Sequence, residues 1–201
     1  MRVLIVGCGY VGLPLGARLA REGHEVFGLR RNPAAEPELR AAGIRPLFAD
    51  ITHPPELEKL PGGFDWVVHC VAAGGDVENY RQIYFEGTGR LLEWLAKDPP
   101  RKFVYTSSTS VYGQNDGSWV DETSPAEPAA GTAQILVATE NLLLHAATAD
   151  AGRSGFPAII LRVAGIYGPE RGHGFNQFLR GLARIEGEGS RFVNMIHRDD
   201  V

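Results

Sequence analysis

A doubly wound α/β sheet, with parallel strands and helices on both faces, is the fold class the sequence predicts. Three observations predict it. Short apolar runs rich in β-branched residues alternate with longer segments of helical period. The runs are apolar almost throughout, as strands buried on both faces are. A glycine-rich turn joins the first run to the first helix. In order, residues 3–6 form a strand stopped by Gly7, and residues 11–22 form a helix with Val11, Leu15 and Leu19 on one face. Residues 25–29 are the second strand, residues 37–42 a short helix opened by Pro37, and residues 44–48 the third strand after Gly43. Residues 66–71 are the fourth strand. Residues 80–96 are a helix, with Tyr80, Tyr84, Leu91, Leu92 and Leu95 at helical spacing. Residues 103–106 are the fifth strand, residues 134–149 a helix, residues 158–163 the sixth strand and residues 175–185 the last helix. Right-handed crossovers then place a ligand crevice beyond the carboxyl ends of the strands. The polar, unperiodic stretch 115–131 is expected to border that crevice.

The 201 residues, 44% hydrophobic and 22% charged, suffice for one sizeable core. Lys and Arg together number 20 against 24 acids, and the formal charge of −4 provides no basic face for nucleic acid or an anionic membrane. No apolar run reaches the roughly 20 residues of a spanning helix. Arg2 and the uncharged stretch after it imitate a signal peptide, but Gly7, Gly9, Gly12, Pro14 and Gly16 break that stretch repeatedly. Cys8 and Cys70 are too few for a disulfide framework and too far apart in sequence for a metal knuckle, so a reducing, cytoplasmic setting is the default. Both cysteines end adjacent strands, where they are either small apolar residues or a redox pair, with no C-x-x-C motif or evident cation to favour the latter.

Gly7-Cys8-Gly9-Tyr10-Val11-Gly12 reads G-x-G-x-x-G between a strand and a helix. The first glycine allows the tight turn, the second lets backbone approach a pyrophosphate, and the third packs helix on strand. The helix N-terminus then faces the anion. Dinucleotide sites carry their ribose-reading residue at the end of the second strand, where an acid takes NAD and an arginine accepts the 2′-phosphate of NADP. Arg30 and Arg31 stand there, so NADP is the expected cofactor, with NAD the alternative. Asp50, closing the third strand, is either an acceptor for the adenine amino group or a cap before Pro54 and Pro55.

Several segments together resemble the extended short-chain dehydrogenase/reductase superfamily, in its NAD-dependent epimerase/dehydratase group. Val67-Val68-His69-Cys70-Val71-Ala72-Ala73 is similar to its fourth strand, and Gly87-Thr88 to the helix after it. Residues 103–113, reading Phe-Val-Tyr-Thr-Ser-Ser-Thr-Ser-Val-Tyr-Gly, resemble the segment carrying the catalytic Ser or Thr, which falls on Ser108. Residues 161–169 resemble the strand and turn at the nicotinamide, and residues 196–201 a short motif after the substrate loop. The resemblance implies a Rossmann fold whose cofactor touches Ile51 beside Asp50, Val71, Ala72 and Ala73 after the fourth strand, Thr106 and Ser107 after the fifth, and Ile166. It also implies a small-molecule substrate and a homodimer formed through the stretch 80–96.

The family's Tyr and the Lys four residues later are absent. Lys59, Lys97 and Lys102 follow Pro55, Glu93 and Asp98 at that spacing, and the alignment puts Thr132 in the Tyr slot and Leu136 in the Lys slot. Gly165 stands where nucleotide-sugar enzymes commonly have an Asn. The pattern is similar to the atypical branch of the superfamily and leaves two alternatives. One is an NADP-dependent oxidoreductase or epimerase, acting on a sugar-nucleotide-like or small carbonyl substrate. In it Ser108 holds a substrate oxygen and Tyr112 or Tyr167 supplies a phenol, with His173 and His197 as further candidate acids. The other is a module that binds NADP without turnover. Extended members continue past the segment matching Asp200, so residues 165–201 are expected to begin a longer substrate-binding portion.

Overall fold

The computed structural model describes residues 1–148, 156–184, 188–189 and 192–201. Six strands form one sheet: β1 (Arg2–Val6), β2 (Glu25–Arg30), β3 (Arg45–Phe48), β4 (Trp66–His69), β5 (Lys102–Ser108) and β6 (Ala158–Val163). Their spatial order is β3-β2-β1-β4-β5-β6, with every pair parallel. This is the doubly wound order the alternation predicts. The order reverses between β1 and β4, and a crevice opens where their connections diverge.

Residue alternation along the strands builds two cores. Leu4 and Val6 join Phe27, Leu29, Val67, Phe103 and Tyr105 on one face, whereas Val3 and Ile5 join Val26, Val68, Leu39 and Ile44 on the other. Helix α1 (Gly12–Arg21) and α2 (Glu36–Ala41) cover the second face, and Leu13, Leu19 and Leu39 pack there. A one-turn helix α3 (Pro54–Leu57), not expected from periodicity, follows β3.

The predicted helix 80–96 begins earlier and is not uniform. It runs as α4 (Val77–Tyr80), a π-helical turn Arg81–Glu86, and α5 (Gly87–Leu95). Leu91, Leu92, Trp94 and Leu95 are buried in this chain's own core, which leaves the helix's outer face to Arg81, Gln82 and Glu93. Helix α6 (Gly131–Thr148) starts three residues before its predicted position, and the predicted end Ala149 lies outside the described residues. Strand β5 outruns its prediction by two residues because β6 pairs with it through Ser108 and Val163. Strand β4 stops two residues short, and Cys70 and Val71 turn over the glycine loop. Beyond β6, β7 (Gly165–Tyr167) and β8 (Met195–His197) form a separate parallel pair. Helix α7 (His173–Leu179) ends well before the predicted Ile185, which lies outside the described residues; Gly181, at φ +66°, follows it.

Candidate functional site

A cleft of about 710 Å3 lies at the carboxyl ends of the strands, and the glycine turn forms its floor. Gly7 takes φ +81°, and a Cβ there would come within 2.6 Å of the Val71 backbone. The turn is tied to β2, because the N–H groups of Gly7 and Cys8 both donate to the Leu29 carbonyl at 3.1 Å. Gly12 is buried beneath it, where a Cβ would meet Ile5 Cγ2 at 2.7 Å, which is the helix-on-strand contact expected of the third glycine. A Cβ on Gly9, by contrast, would meet only ordinary contacts, the Gly7 carbonyl oxygen at 3.9 Å and Arg30 Nη1 at 4.0 Å. No side chain caps α1 and no acid lies in its first turn. Backbone with room beside it at an uncapped helix N-terminus fits a pyrophosphate.

Gly7, Gly9, Tyr10 and Val11 line the cleft, whereas Gly12 supports it from below. Arg30 and Arg31 line its β2 end. Arg30 Nη1 donates to the Cys8 carbonyl at 2.8 Å and lies 3.7 Å from Glu38, so its guanidinium is held across the turn. Arg31 is exposed, 3.7 Å from Asp50 Oδ2. Asp50 and Ile51 line the cleft beside them. Asp50 Oδ1 accepts from the Thr52 N–H at 2.8 Å and the Thr52 hydroxyl at 2.7 Å, closing a turn ahead of α3. Burial works to raise the Asp50 carboxyl, but the Thr52 donors, with Arg31 and His53, outweigh it and hold it below its ordinary value.

Val71, Ala72, Ala73, Thr106, Ser107 and Ile166 line the cleft as well. Thr106 Oγ1 donates to the His69 carbonyl at 3.2 Å. Ser107 Oγ donates to buried Glu140 at 2.5 Å, and Glu140 takes the Arg162 guanidinium through Nη2 at 2.8 Å. Ser108 reaches the cleft, where its hydroxyl accepts the Ser110 N–H at 3.1 Å.

Tyr112 is not in the cleft. Its hydroxyl donates to the Asp121 carbonyl at 2.7 Å and accepts from Arg162 Nη1 at 3.0 Å, with the guanidinium 4.8 Å from the ring centre. The phenol is spent on joining β5 to the loop after it. Tyr167 also points elsewhere, edge to face with His197 at 5.3 Å. His197 Nδ1 accepts the Asp199 N–H, and the His173 side chain lies outside the described residues. None of residues 115–131 lines the cleft. That loop instead rests on Tyr112. Cys8 and Cys70 are both free, and burial pushes each thiol up to about 12.

Thr132 and Leu136 both line the cleft, so the slots that resemblance gives to Tyr and Lys face the expected space without a phenol or an ammonium. Asn79, Tyr80, Ile83, Tyr84 and Arg171 line it too, beyond the residues the motifs point to. The first four follow from helical spacing once the helix is seen to open from the carboxyl end of β4. Arg171 carries no sequence signal. Its guanidinium and that of Arg198 lie over the Tyr10 ring, each 5.1 Å from the centre, while the Tyr10 hydroxyl donates to the Pro169 carbonyl at 3.0 Å. Among the described residues no helix is long and apolar enough to cross a membrane.

The strand order, the glycine turn and the cleft at the switch point define a dinucleotide-binding α/β protein. The family model of the NAD dependent epimerase/dehydratase family matches residues 3–185, and the chain belongs to that family. Protein YeeZ of Escherichia coli is 29% identical over 205 residues, which takes in all of this chain and 70% of YeeZ. A solved structure from Methylobacillus flagellatus, described as an NAD-dependent epimerase/dehydratase, is 33% identical with a TM-score of 0.71, over 99% of this chain and 66% of its own. The 2-alkyl-3-oxoalkanoate reductase of Stenotrophomonas maltophilia is 26% identical over all of this chain and 62% of its own. The chain thus spans about two thirds of the length of these relatives.

Proposed function

We propose that this protein is an NADPH-dependent reductase of small carbonyl compounds, working in a reducing cytoplasmic setting. The observation that carries the reading is the β2 end of the cleft: two arginines line it where an NAD-selecting acid would stand, and Arg30 is anchored across the glycine turn. A planar guanidinium matches the 2′-phosphate in two hydrogen bonds. Gly9 and the N-terminus of α1 would hold the pyrophosphate, and Arg171, which has no carboxylate partner among the described residues, would add charge above it. NADPH would supply hydride. Ser108, whose hydroxyl hydrogen has no acceptor among the described residues, would hold the carbonyl oxygen. With Gly165 in place of an Asn and a 3-oxoalkanoate reductase among the relatives, a 3-oxo acid or ester is a better first substrate than a nucleotide sugar.

Fluorescence titration with NADPH and NADH tests the cofactor reading. Arg30→Asp should weaken NADPH about 10- to 100-fold and NADH far less; equal losses would remove the phosphate role. A second reading, a cofactor-holding module without turnover, is favoured by the apolar Leu136 in the Lys slot. Tight NADPH binding without oxidation in the presence of 3-oxo esters, simple aldehydes and a nucleotide sugar would establish it.

A further inference from the structure

A carbonyl that accepts hydride in this cleft needs a proton for its oxygen, and Thr132 and Leu136 are unable to provide one as a phenol would. The helix after β4 provides an alternative. Tyr80, Ile83 and Tyr84 line the cleft together from α4 and the π-helical turn that follows it. Such wide turns are uncommon and are often found where a side chain must be aimed at a site.

The cleft-lining phenols differ in what they have left to give. Tyr10 donates its hydrogen to Pro169. Tyr84 is 9% exposed, and its oxygen accepts the Ala73 N–H at 3.1 Å, from the loop that resemblance places over the cofactor. No acceptor among the described residues takes the Tyr84 hydrogen. The Tyr80 ring lies 5.1 Å away and fixes the Tyr84 ring from the side. Tyr84 is therefore oriented by a backbone donor, held by packing and still in possession of its proton.

We propose that Tyr84 is the proton donor of this cleft, acting from the helix after β4 in place of the phenol that position 132 lacks. The inference rests on the NADPH-dependent reductase reading. NADPH, when bound, supplies the hydride. As the new C–H bond forms, the carbonyl π bond breaks and its oxygen takes the proton from Tyr84 Oη. The resulting phenolate is stabilised by the Ala73 N–H and regains a proton from water in the open cleft. The sum is carbonyl, NADPH and one proton giving alcohol and NADP+. Burial raises the Tyr84 hydroxyl above an ordinary phenol, against the pull of the Ala73 N–H, which keeps it protonated at neutral pH.

Tyr84→Phe keeps the ring and removes the proton. In the full chain, NADPH affinity should stay within about twofold, while kcat for ethyl acetoacetate reduction falls about a hundredfold or more. Activity is not the sole readout. With tyrosine Cζ labelled by carbon-13, the resonance missing from Tyr84→Phe should shift saturably as NADP+ is added to the native chain. A variant with 3-fluorotyrosine at 84, a more acidic phenol of nearly the same size, should move the high-pH limb of the rate profile to lower pH. An active native protein whose Tyr84→Phe form keeps its rate, an unmoved limb, or NADP+ binding without a Tyr84 shift would each overturn the assignment. A native chain that binds NADPH and reduces nothing would instead overturn the reductase reading, and the donor role would fall with it.

Discussion

Gly9→Ala separates binding from folding. The added Cβ has its nearest neighbours at 3.9 Å, the Gly7 carbonyl oxygen, and 4.0 Å, Arg30 Nη1, so the free protein accommodates it. Stability should stay within about 1 kcal/mol of the parent, on the favourable side if anything, because alanine loses less backbone entropy on folding. The same methyl fills the space through which a pyrophosphate must approach the turn. Losing one charge-assisted hydrogen bond from backbone N–H costs about 1.5–3 kcal/mol, so NADPH should bind roughly 10- to 150-fold more weakly. Gly12→Ala should do the reverse at the folding level. Its Cβ would lie 2.7 Å from Ile5 Cγ2 and 3.0 Å from both Cys70 Sγ and the Gly7 oxygen, and overpacking of that kind costs about 1–3 kcal/mol. Urea unfolding and NADPH fluorescence titration on both variants decide the matter. If Gly9→Ala binds NADPH as tightly as the parent, the cleft floor is not a pyrophosphate site; if it unfolds as easily as Gly12→Ala, the free protein does not accommodate the methyl.

Two further outcomes follow from buried polar groups. Glu140→Gln leaves the Arg162 guanidinium, 21% exposed, without its carboxylate and should destabilise the fold by about 3–5 kcal/mol; pairing it with Arg162→Met should restore most of the loss in urea unfolding. His69 is fully buried, with Nε2 3.0 Å from Thr88 Oγ1, and burial lowers its imidazole from 6.5 to about 4. Between those values the unfolded chain binds a proton that the folded chain refuses, so stability falls as pH drops through the window, by about 2 kcal/mol at pH 5. In His69→Gln that part of the difference in unfolding free energy between pH 7 and pH 5 should vanish; an unchanged difference would mean that His69 protonates freely in the fold.

What the sequence made legible is what short-range physics determines. Gly7, Gly9 and Gly12 act within six residues: Gly7 takes a positive φ, Gly12 packs helix on strand, and Gly9 leaves room beside the turn. Alternating apolar runs placed all six strands of the main sheet. Strands β7 and β8, three residues each, offer too few residues for a period. The occupied hydroxyl of Tyr112 is not legible in the sequence because its partners, Asp121 and Arg162, stand 9 and 50 residues away. Tyr84 was legible as a core residue of its helix. Its polar end depends on Ala73, eleven residues back across a loop.

The same distinction explains how the cleft keeps its shape with Thr132 and Leu136 in its wall. Leu136 and Glu140 are four residues apart, on one face of α6, and both are buried. Glu140 anchors that face to β5 through Ser107 and to β6 through Arg162, and Leu136 joins the main core. A leucine at 136 therefore leaves the helix docked and removes only the polar reach. The half of the site built from the glycine turn and the arginines at the end of β2 does not depend on α6. A cofactor held there would not need α6, and under the proposed reading its proton would come from another element that faces the same space. The proposed donor sits on one such element, the helix carrying Tyr80 and Tyr84, whose π-helical turn packs directly against α6.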